Sequence, residues 1–139
     1  MSVQAIAKGI RMSPRKVSEV AALVRNRTVE DALTILDHTP RRAAKPVYKV
    51  IASAKANAEY NHNYKGQGLF IKEITVTAGD RLKRFRPAAR GGANKFEHKS
   101  AIIRVTVDGE LRKPKKPAVE KKIDEKKSPV KKTTKKESK

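Results

Sequence analysis

The first amphipathic pattern along the chain predicts a helix that begins near residue 14. Its apolar positions recur at intervals of three and four residues, as on one face of a helix: Val17, Val20, Ala21 and Val24. Ser13 and Pro14 precede this stripe and are typical of a helix start, because serine can cap free amides and proline is tolerated in the first turn. Polar residues 25–27 predict its end.

Two further patterns predict a short helix and a long one. Residues 28–31, Thr-Val-Glu-Asp, resemble a capping box with aspartate in the last place, and the short helix stops before Pro40. The long helix spans about residues 41–61, and it carries an apolar stripe at helical spacing on Ala44, Val47, Ile51, Ala54 and Ala58. Pro46 is tolerated if this helix begins near residue 43 or 44.

Alternating apolar and polar positions predict strands at residues 3–10, 69–77 and 101–108, with a loop at residues 61–68. In the second strand we expect one face to hold Phe70, Ile74 and Val76, with Lys72 as an exception. In the third strand the apolar face holds Ile103, Val105 and Val107. The expected fold class is therefore α+β, with three helices packed on a small antiparallel three-stranded sheet.

Residues 78–100 join the last two strands and contain almost no apolar side chains, so they cannot pack inside a domain. We therefore expect a long β-hairpin, at about residues 78–101, that protrudes from the body. Phe85 and Phe96 can stack on nucleobases, and residues 90–93 predict a tight turn at the tip. Cations recur along this segment at Arg81, Lys83, Arg84, Arg86, Arg90, Lys95 and Lys99. The alternative interpretation is a flexible loop whose charges only keep it soluble.

The net charge of the chain indicates the kind of partner that it binds. The 139 residues include 34 Lys and Arg against 14 Asp and Glu, a net charge of +20. So many positive charges on a small chain repel one another, which predicts a polyanionic partner. Nucleic acid is the first expectation, an anionic membrane surface the second and an acidic protein the third. No apolar stretch is long enough to span a membrane, and the first residues do not resemble a secretory signal. The absence of cysteine excludes a disulfide scaffold and a thiolate metal site.

Much of the excess charge lies in residues 112–139, which hold 13 basic and 4 acidic residues. We expect this segment to be a disordered Lys-rich tail, and residues 1–111 to form one folded domain. The tail can be a solvated extension or can contact phosphates, and the sequence leaves both open.

A second basic site precedes the first predicted helix. A phosphate there can meet the amides of the helix as well as cationic side chains, and the candidate residues are Arg11, Ser13, Arg15 and Lys16. The simpler alternative is that the serine and proline only start the helix. Lys55 and Asn57 on the long helix are weaker candidates.

Catalytic chemistry finds no support in the sequence. His38, His62 and His98 are scattered without metal-ligand spacing, and no glycine-rich phosphate loop is present. We therefore expect no enzyme, no cofactor, no metal and no small-molecule substrate.

Three separated motifs identify the chain by resemblance. Residues 12–16 (Met-Ser-Pro-Arg-Lys), residues 53–62 (Ser-Ala-Lys-Ala-Asn-Ala-Glu-Tyr-Asn-His) and residues 83–87 (Lys-Arg-Phe-Arg-Pro) resemble the uL22 family of bacterial large-subunit ribosomal proteins. The likeness covers about residues 3–107. The sequence departs from the usual family pattern at the tip, where Ala88 and Gly92 stand in place of arginine.

The resemblance implies a structural protein of the large ribosomal subunit, in the cytoplasm, that binds large-subunit ribosomal RNA and supports subunit assembly. It implies that the hairpin runs inward through RNA and that its tip lines the nascent-peptide tunnel. The implied partners are this RNA, neighbouring large-subunit proteins and the nascent polypeptide, with no membrane. By position, the tip is Pro87, Ala88, Ala89, Arg90, Gly91, Gly92 and Ala93. The candidate RNA-binding residues are Arg11, Ser13, Arg15, Lys16, Lys55, Asn57, Arg81, Lys83, Arg84, Arg86, Arg90, Lys95, His98 and Lys99.

Two other classes of function are alternatives to this one. A free-standing nucleic-acid chaperone or DNA-binding protein has the same charge, but a long and poorly packed hairpin suits permanent burial in folded RNA better than transient binding. An enzyme acting on nucleic acid lacks a candidate catalytic set.

Overall fold

A computed structural model describes residues 2–112 and confirms the α+β class. Residue 1 and residues 113–139, which include nearly all of the predicted tail, lie outside the described residues. The elements are β1 (Val3–Ile10), α1 (Pro14–Leu23), α2 (Val29–His38), α3 (Ala44–Asn61), β2 (Phe70–Ala78), β3 (Leu82–Pro87), β4 (Ala93–His98) and β5 (Ala101–Asp108). The three helices and the three strands of the body therefore fall where the hydrophobic patterns predicted them.

The body is built on a three-stranded antiparallel sheet with the order β1-β5-β2. The central strand β5 pairs with β1 through Val3 and Val107, and with β2 through Ile71 and Val107. Its predicted apolar face is confirmed, because Ile103, Val105 and Val107 are fully buried. The helices cover this one face of the sheet, and α3 contacts β1, β5, α1 and α2.

The long helix α3 packs as its pattern predicted. All five residues of the stripe are buried, at Ala44, Val47, Ile51, Ala54 and Ala58. The core is made largely of valine and alanine, which lets α3 approach the sheet closely. The helix begins at residue 44, so that Pro46 falls within its first turn and removes no helical hydrogen bond.

The two predicted helix starts differ in their hydrogen bonds. At α2 the Thr28 hydroxyl oxygen accepts from the Asp31 amide at 3.2 Å and donates to the Asp31 carboxylate at 2.6 Å. The predicted cap is therefore confirmed, although the acidic side chain binds the hydroxyl. At α1, Ser13 occupies the capping position with extended backbone angles, but its side chain makes no capping hydrogen bond. The expectation of a serine side-chain cap is wrong.

Strand β2 departs from the predicted alternation at its start. The register with β5 shifts by one residue between Ile71 and Glu73, which is a β-bulge. The bulge places Ile71 on the core face together with Ile74, and both are buried. Phe70 is instead 44% exposed. The prediction that Phe70 shares the core face is therefore wrong, whereas Ile74 and the partly buried Val76 lie where expected.

The predicted hairpin is confirmed as a separate two-stranded sheet formed by β3 and β4. The body sheet ends at the pair Ala78 and Ala101, and the hairpin begins at the pair Leu82 and His98. Between these pairs, residues 79–81 on one arm face only residues 99–100 on the other. Such an extra residue is typical of a bulge, which bends and twists a ribbon.

The topology gives the body two ends, which we call the hairpin pole and the distal pole. The hairpin pole holds the end of β1, the starts of α1 and α3 and the base of the hairpin. The distal pole holds the start of β1 and the ends of α3 and β5. There the chain pairs with itself, because the Lys65 amide donates to the Glu110 carbonyl at 2.9 Å and the Arg112 amide donates to the Asn63 carbonyl at 2.8 Å. The predicted loop at residues 61–68 is therefore anchored, and its Tyr64 is buried.

Candidate nucleic-acid interface

The hairpin has two solvent-exposed faces of different character. Side chains alternate between the faces of a strand, and the register of β3 with β4 fixes which ones lie together. The first face holds Leu82, Arg84, Arg86, Asn94, Phe96 and His98. The second face holds Lys83, Phe85, Pro87, Ala93, Lys95 and Glu97. None of these side chains is buried, so the hairpin adds no core of its own.

On the first face the aromatic ring is occupied by its neighbours. The guanidinium carbon of Arg86 lies 5.0 Å from the centroid of the Phe96 ring, a cation–π contact. The imidazole of His98 meets the same ring edge-on, with 5.1 Å between the ring centroids. Arg86 is therefore held over the strand pair, and Phe96 is half-buried.

On the second face one acid neutralises one cation. A guanidinium nitrogen of Arg81 lies 3.3 Å from a carboxylate oxygen of Glu97. Within residues 2–112, no carboxylate lies within 4 Å of the amino groups of Lys83 and Lys95. Phe85 is next to both lysines, two residues after Lys83 on the same strand and directly across from Lys95, and its side chain is 74% exposed. This face therefore offers positive charge and an uncovered aromatic ring together.

The tip closes through a tight turn over residues 88–92. The Ala88 amide donates to the Gly92 carbonyl at 2.7 Å, and the Gly92 amide donates to the Ala89 carbonyl at 3.3 Å. Arg90 and Gly91 adopt the left-handed region, with φ of 57° and 74°. Arginine is strained there and glycine is not. The turn is centred on residues 89–91, slightly before the predicted residues 90–93, and the seven tip candidates are all exposed.

A cleft of about 1150 Å³ lies at the hairpin pole, between the hairpin base and the starts of α1 and α3. The cleft brings together the two basic sites that were predicted separately, one on the body and one on the hairpin. Its lining includes Arg11, Ser13 and Lys16 from the body and His98 and Lys99 from the hairpin. Cations from three parts of the chain thus face one space. Both helices that begin here direct the positive ends of their dipoles toward this pole.

Two cleft residues, Arg41 and Arg42, were missed by the sequence analysis. They lie within the predicted start of the long helix and directly precede α3, and two adjacent arginines before a helix are the sequence signal that points to them. Arg41 is partly neutralised, since its guanidinium lies 2.6 Å from the Glu19 carboxylate. Arg42 is exposed and has no ion pair in the described part of the chain. The cleft is also lined by Glu19, Asp80 and Glu97, so its positive charge is not uniform.

Three of the predicted candidates on the body lie outside the cleft, as do the hairpin candidates from Arg81 to Lys95. Arg15 is exposed on α1 but does not line it. The amino group of Lys55 lies 3.9 Å from Glu30 and 4.0 Å from Glu59, so acidic side chains already surround it. Asn57 lies two residues after Lys55 on α3 and is half-buried. The structure therefore brings Arg11, Ser13 and Lys16 together with His98 and Lys99 at the hairpin base, and it leaves the α3 candidates apart.

Two lysines near the distal pole are paired with carboxylates. The amino group of Lys65 lies 2.8 Å from the Glu110 carboxylate, and that of Lys72 lies 3.5 Å from the Asp108 carboxylate. The hydrogen bond and the charge of Lys65 hold the pKa of the Glu110 carboxyl below its ordinary value. This ion pair is therefore present above the ordinary carboxyl pKa and is lost as the pH falls through the lowered one. Arg27 and Arg112, which also lie near the distal pole, have no ion pair among the described residues, so unpaired cations are more numerous on the hairpin and around the cleft but are not confined to them.

The described residues contain no group of three or more His, Asp or Glu side chains that could hold a metal ion. No helix within residues 2–112 has the length and hydropathy needed to cross a membrane.

Comparison with known proteins agrees with this geometry. Residues 5–108 match the sequence model of the family described as ribosomal protein L22p/L17e. The chain belongs to this family. It is 46% identical over 104 residues to the large ribosomal subunit protein uL22 of Desulfitobacterium hafniense, which covers 75% of this chain and 91% of the relative. It is 47% identical over 103 residues to the uL22 protein of Deinococcus radiodurans, covering 74% and 77%. It is 44% identical over 107 residues to that of Clostridioides difficile, covering 77% and 96%.

Membership in the L22p/L17e family decides the class of function. The family consists of structural constituents of the large ribosomal subunit, so this chain is a ribosomal protein that acts in translation and is not an enzyme. The matched residues contain the hairpin and the cleft, and the C-terminal basic segment lies beyond them.

Proposed function

We propose that this chain binds large-subunit ribosomal RNA through the hairpin and the adjoining cleft, as part of the large subunit in the cytoplasm. In this assignment the body docks on folded RNA with its hairpin pole, supports assembly of the subunit, and sends the hairpin into the RNA. The tip, residues 87–93, lines the tunnel that carries the nascent polypeptide. Neighbouring large-subunit proteins are further partners.

The observation that carries the proposal is the density of unpaired cations on the hairpin and around the cleft. Near the distal pole, Lys65 and Lys72 are matched by carboxylates, so these two side chains offer little to a polyanion. On the hairpin and around the cleft, cations such as Lys83, Lys95 and Arg42 have no ion pair within the described chain. Phosphates of a nucleic acid neutralise such a surface and release counterions. An elongated ribbon without a core also gains its stability from what surrounds it.

The proposal for the tip rests on the small size of its side chains. Five of the seven tip residues are alanine or glycine, and Arg90 is the one cation among them. Such a tip lines a passage without filling it. The body does not cover it, because every tip residue is exposed.

Paired substitutions of equal charge test the RNA interface. We expect Arg42→Ala with Lys99→Ala to reduce the slope of log affinity against log salt by about 1.5 for large-subunit ribosomal RNA, since two phosphate contacts are lost. The matched control, Lys65→Ala with Lys72→Ala, removes the same charge from the distal pole and should leave the slope nearly unchanged. The measurement is filter binding of the full chain from 0.05 to 0.3 M salt. Equal losses in the two variants would show that only net charge matters and would reject the interface.

A unique thiol tests the tip. The chain has no cysteine, so Ala89→Cys carries a single photo-crosslinker. In ribosomes stalled during translation, we expect this probe to crosslink to the nascent polypeptide, whereas the same probe at Lys65→Cys on the distal pole should not. A crosslink to RNA alone from residue 89 would contradict the tunnel assignment and leave RNA binding intact.

A further inference from the structure

Two side chains stand out among the large apolar side chains that the structure leaves exposed. Tyr60 at the end of α3 is 82% exposed and Phe85 in β3 is 74% exposed. A tyrosine can keep its hydroxyl in water, but phenylalanine has no polar group to compensate for its exposure. Phe85 therefore exposes an apolar ring to solvent, and no polar group of its own offsets the cost of that exposure.

The two phenylalanines of the hairpin differ in this respect although they lie on paired strands. The ring of Phe96 is covered by Arg86 and His98. Phe85 lies on the opposite face, directly across from Lys95, and no ring or cation–π contact forms around it in the described chain. One ring is thus part of the hairpin itself, and the other is available to a partner.

The neighbours of Phe85 indicate the chemistry of that partner. Lys83 lies two residues before it on the same face, and Lys95 lies across from it. An apolar pocket of another protein that covered the ring would also desolvate these two ammonium groups, which is costly without matching carboxylates. An unpaired nucleotide supplies both components, because its base offers a π-face to the ring and its phosphates accept from the lysines.

We propose that Phe85 is a stacking site for one unpaired base of the RNA, with Lys83 and Lys95 binding the adjoining phosphates. The inference rests on the proposed RNA-binding function and adds the chemical class of the ligand at one position. The ring provides shape-selective affinity that salt does not weaken, whereas the lysines provide the salt-dependent part. Phe96 does not stack on RNA and instead fixes Arg86.

Affinity measurements separate stacking from charge. For the full chain and large-subunit ribosomal RNA, we expect Phe85→Ala to lower affinity about 5- to 150-fold, the range found for a single stacked base. The salt slope should stay the same, because no charge is removed. Phe85→Leu should lose nearly as much, since leucine keeps the apolar surface without the π-face. The matched control Phe96→Ala should lose less.

A fluorescent variant reports the contact directly. The chain has no tryptophan, so Phe85→Trp introduces a single fluorophore that can itself stack. We expect strong quenching of its emission on RNA binding, and weaker quenching for Phe96→Trp. RNA binding with unquenched emission at residue 85, or full affinity in Phe85→Leu, would overturn the stacking site and leave the proposed function standing. No RNA binding by the unmodified chain would overturn both.

Discussion

Replacing residues 83–97 with the dipeptide Asn-Gly is expected to leave the body folded, with a free energy of unfolding within about 0.5 kcal/mol of the original. None of the removed residues is buried, and the flanking residues Leu82 and His98 are already paired across the ribbon. A two-residue turn of this type matches the twist of antiparallel strands. Urea unfolding of both chains measures the difference. A large loss of stability would show that the hairpin and the body form one cooperative unit.

The same replacement should greatly weaken RNA binding. It removes five cations, namely Lys83, Arg84, Arg86, Arg90 and Lys95. The salt slope for large-subunit ribosomal RNA should therefore fall by about 4, and the remaining binding should come from the cleft. A full-length hairpin in which these five residues are glutamine serves as the control, because it keeps the shape and loses the charge. An unchanged slope in both chains would place the RNA contact elsewhere on the molecule.

Ile103→Ala is expected to have the largest effect on stability. Its side chain is fully buried in the central strand beneath the helices. Removing three carbons there leaves a cavity and should cost about 3 kcal/mol, a large fraction of the roughly 5–15 kcal/mol that stabilises a domain. The adjacent Ile102 points to the other face of the sheet and is only partly buried, so Ile102→Ala should cost about 1 kcal/mol. Equal losses in urea unfolding would contradict the assigned faces.

Local periodicity predicted the parts of the fold that depend only on neighbours along the chain. The stripe of α3 and the alternating face of β5 are such cases, since their spacing is set by the geometry of a helix and of a strand. Phe70 was assigned to the wrong face because the bulge after Ile71 exists only in the pairing with β5. The unused side-chain cap at Ser13 likewise depends on a rotamer that the sequence does not report.

The candidate interface was predicted in pieces but not as one surface. The basic character of the hairpin and of residues 11–16 followed from composition. Their meeting in one cleft, and the inclusion of Arg41 and Arg42, followed from the topology that brings the starts of α1 and α3 to the base of the hairpin. The acidic neighbours of Lys55 were equally hidden, because Glu30 lies 25 residues away in the sequence.

The hairpin is inserted between β2 and β5, two strands that pair with each other, and this nesting makes its reach adjustable independently of the body. Each residue added to both arms would lengthen the ribbon by about 3.3 Å. It would also turn every side chain beyond the insertion to the opposite face. Only steps of two residues per arm, about 6.6 Å each, extend the ribbon and keep Phe85 and its lysines on one side and Arg86 on the other. The length of the hairpin can therefore change only in steps of two residues per arm if each side chain is to stay on its face.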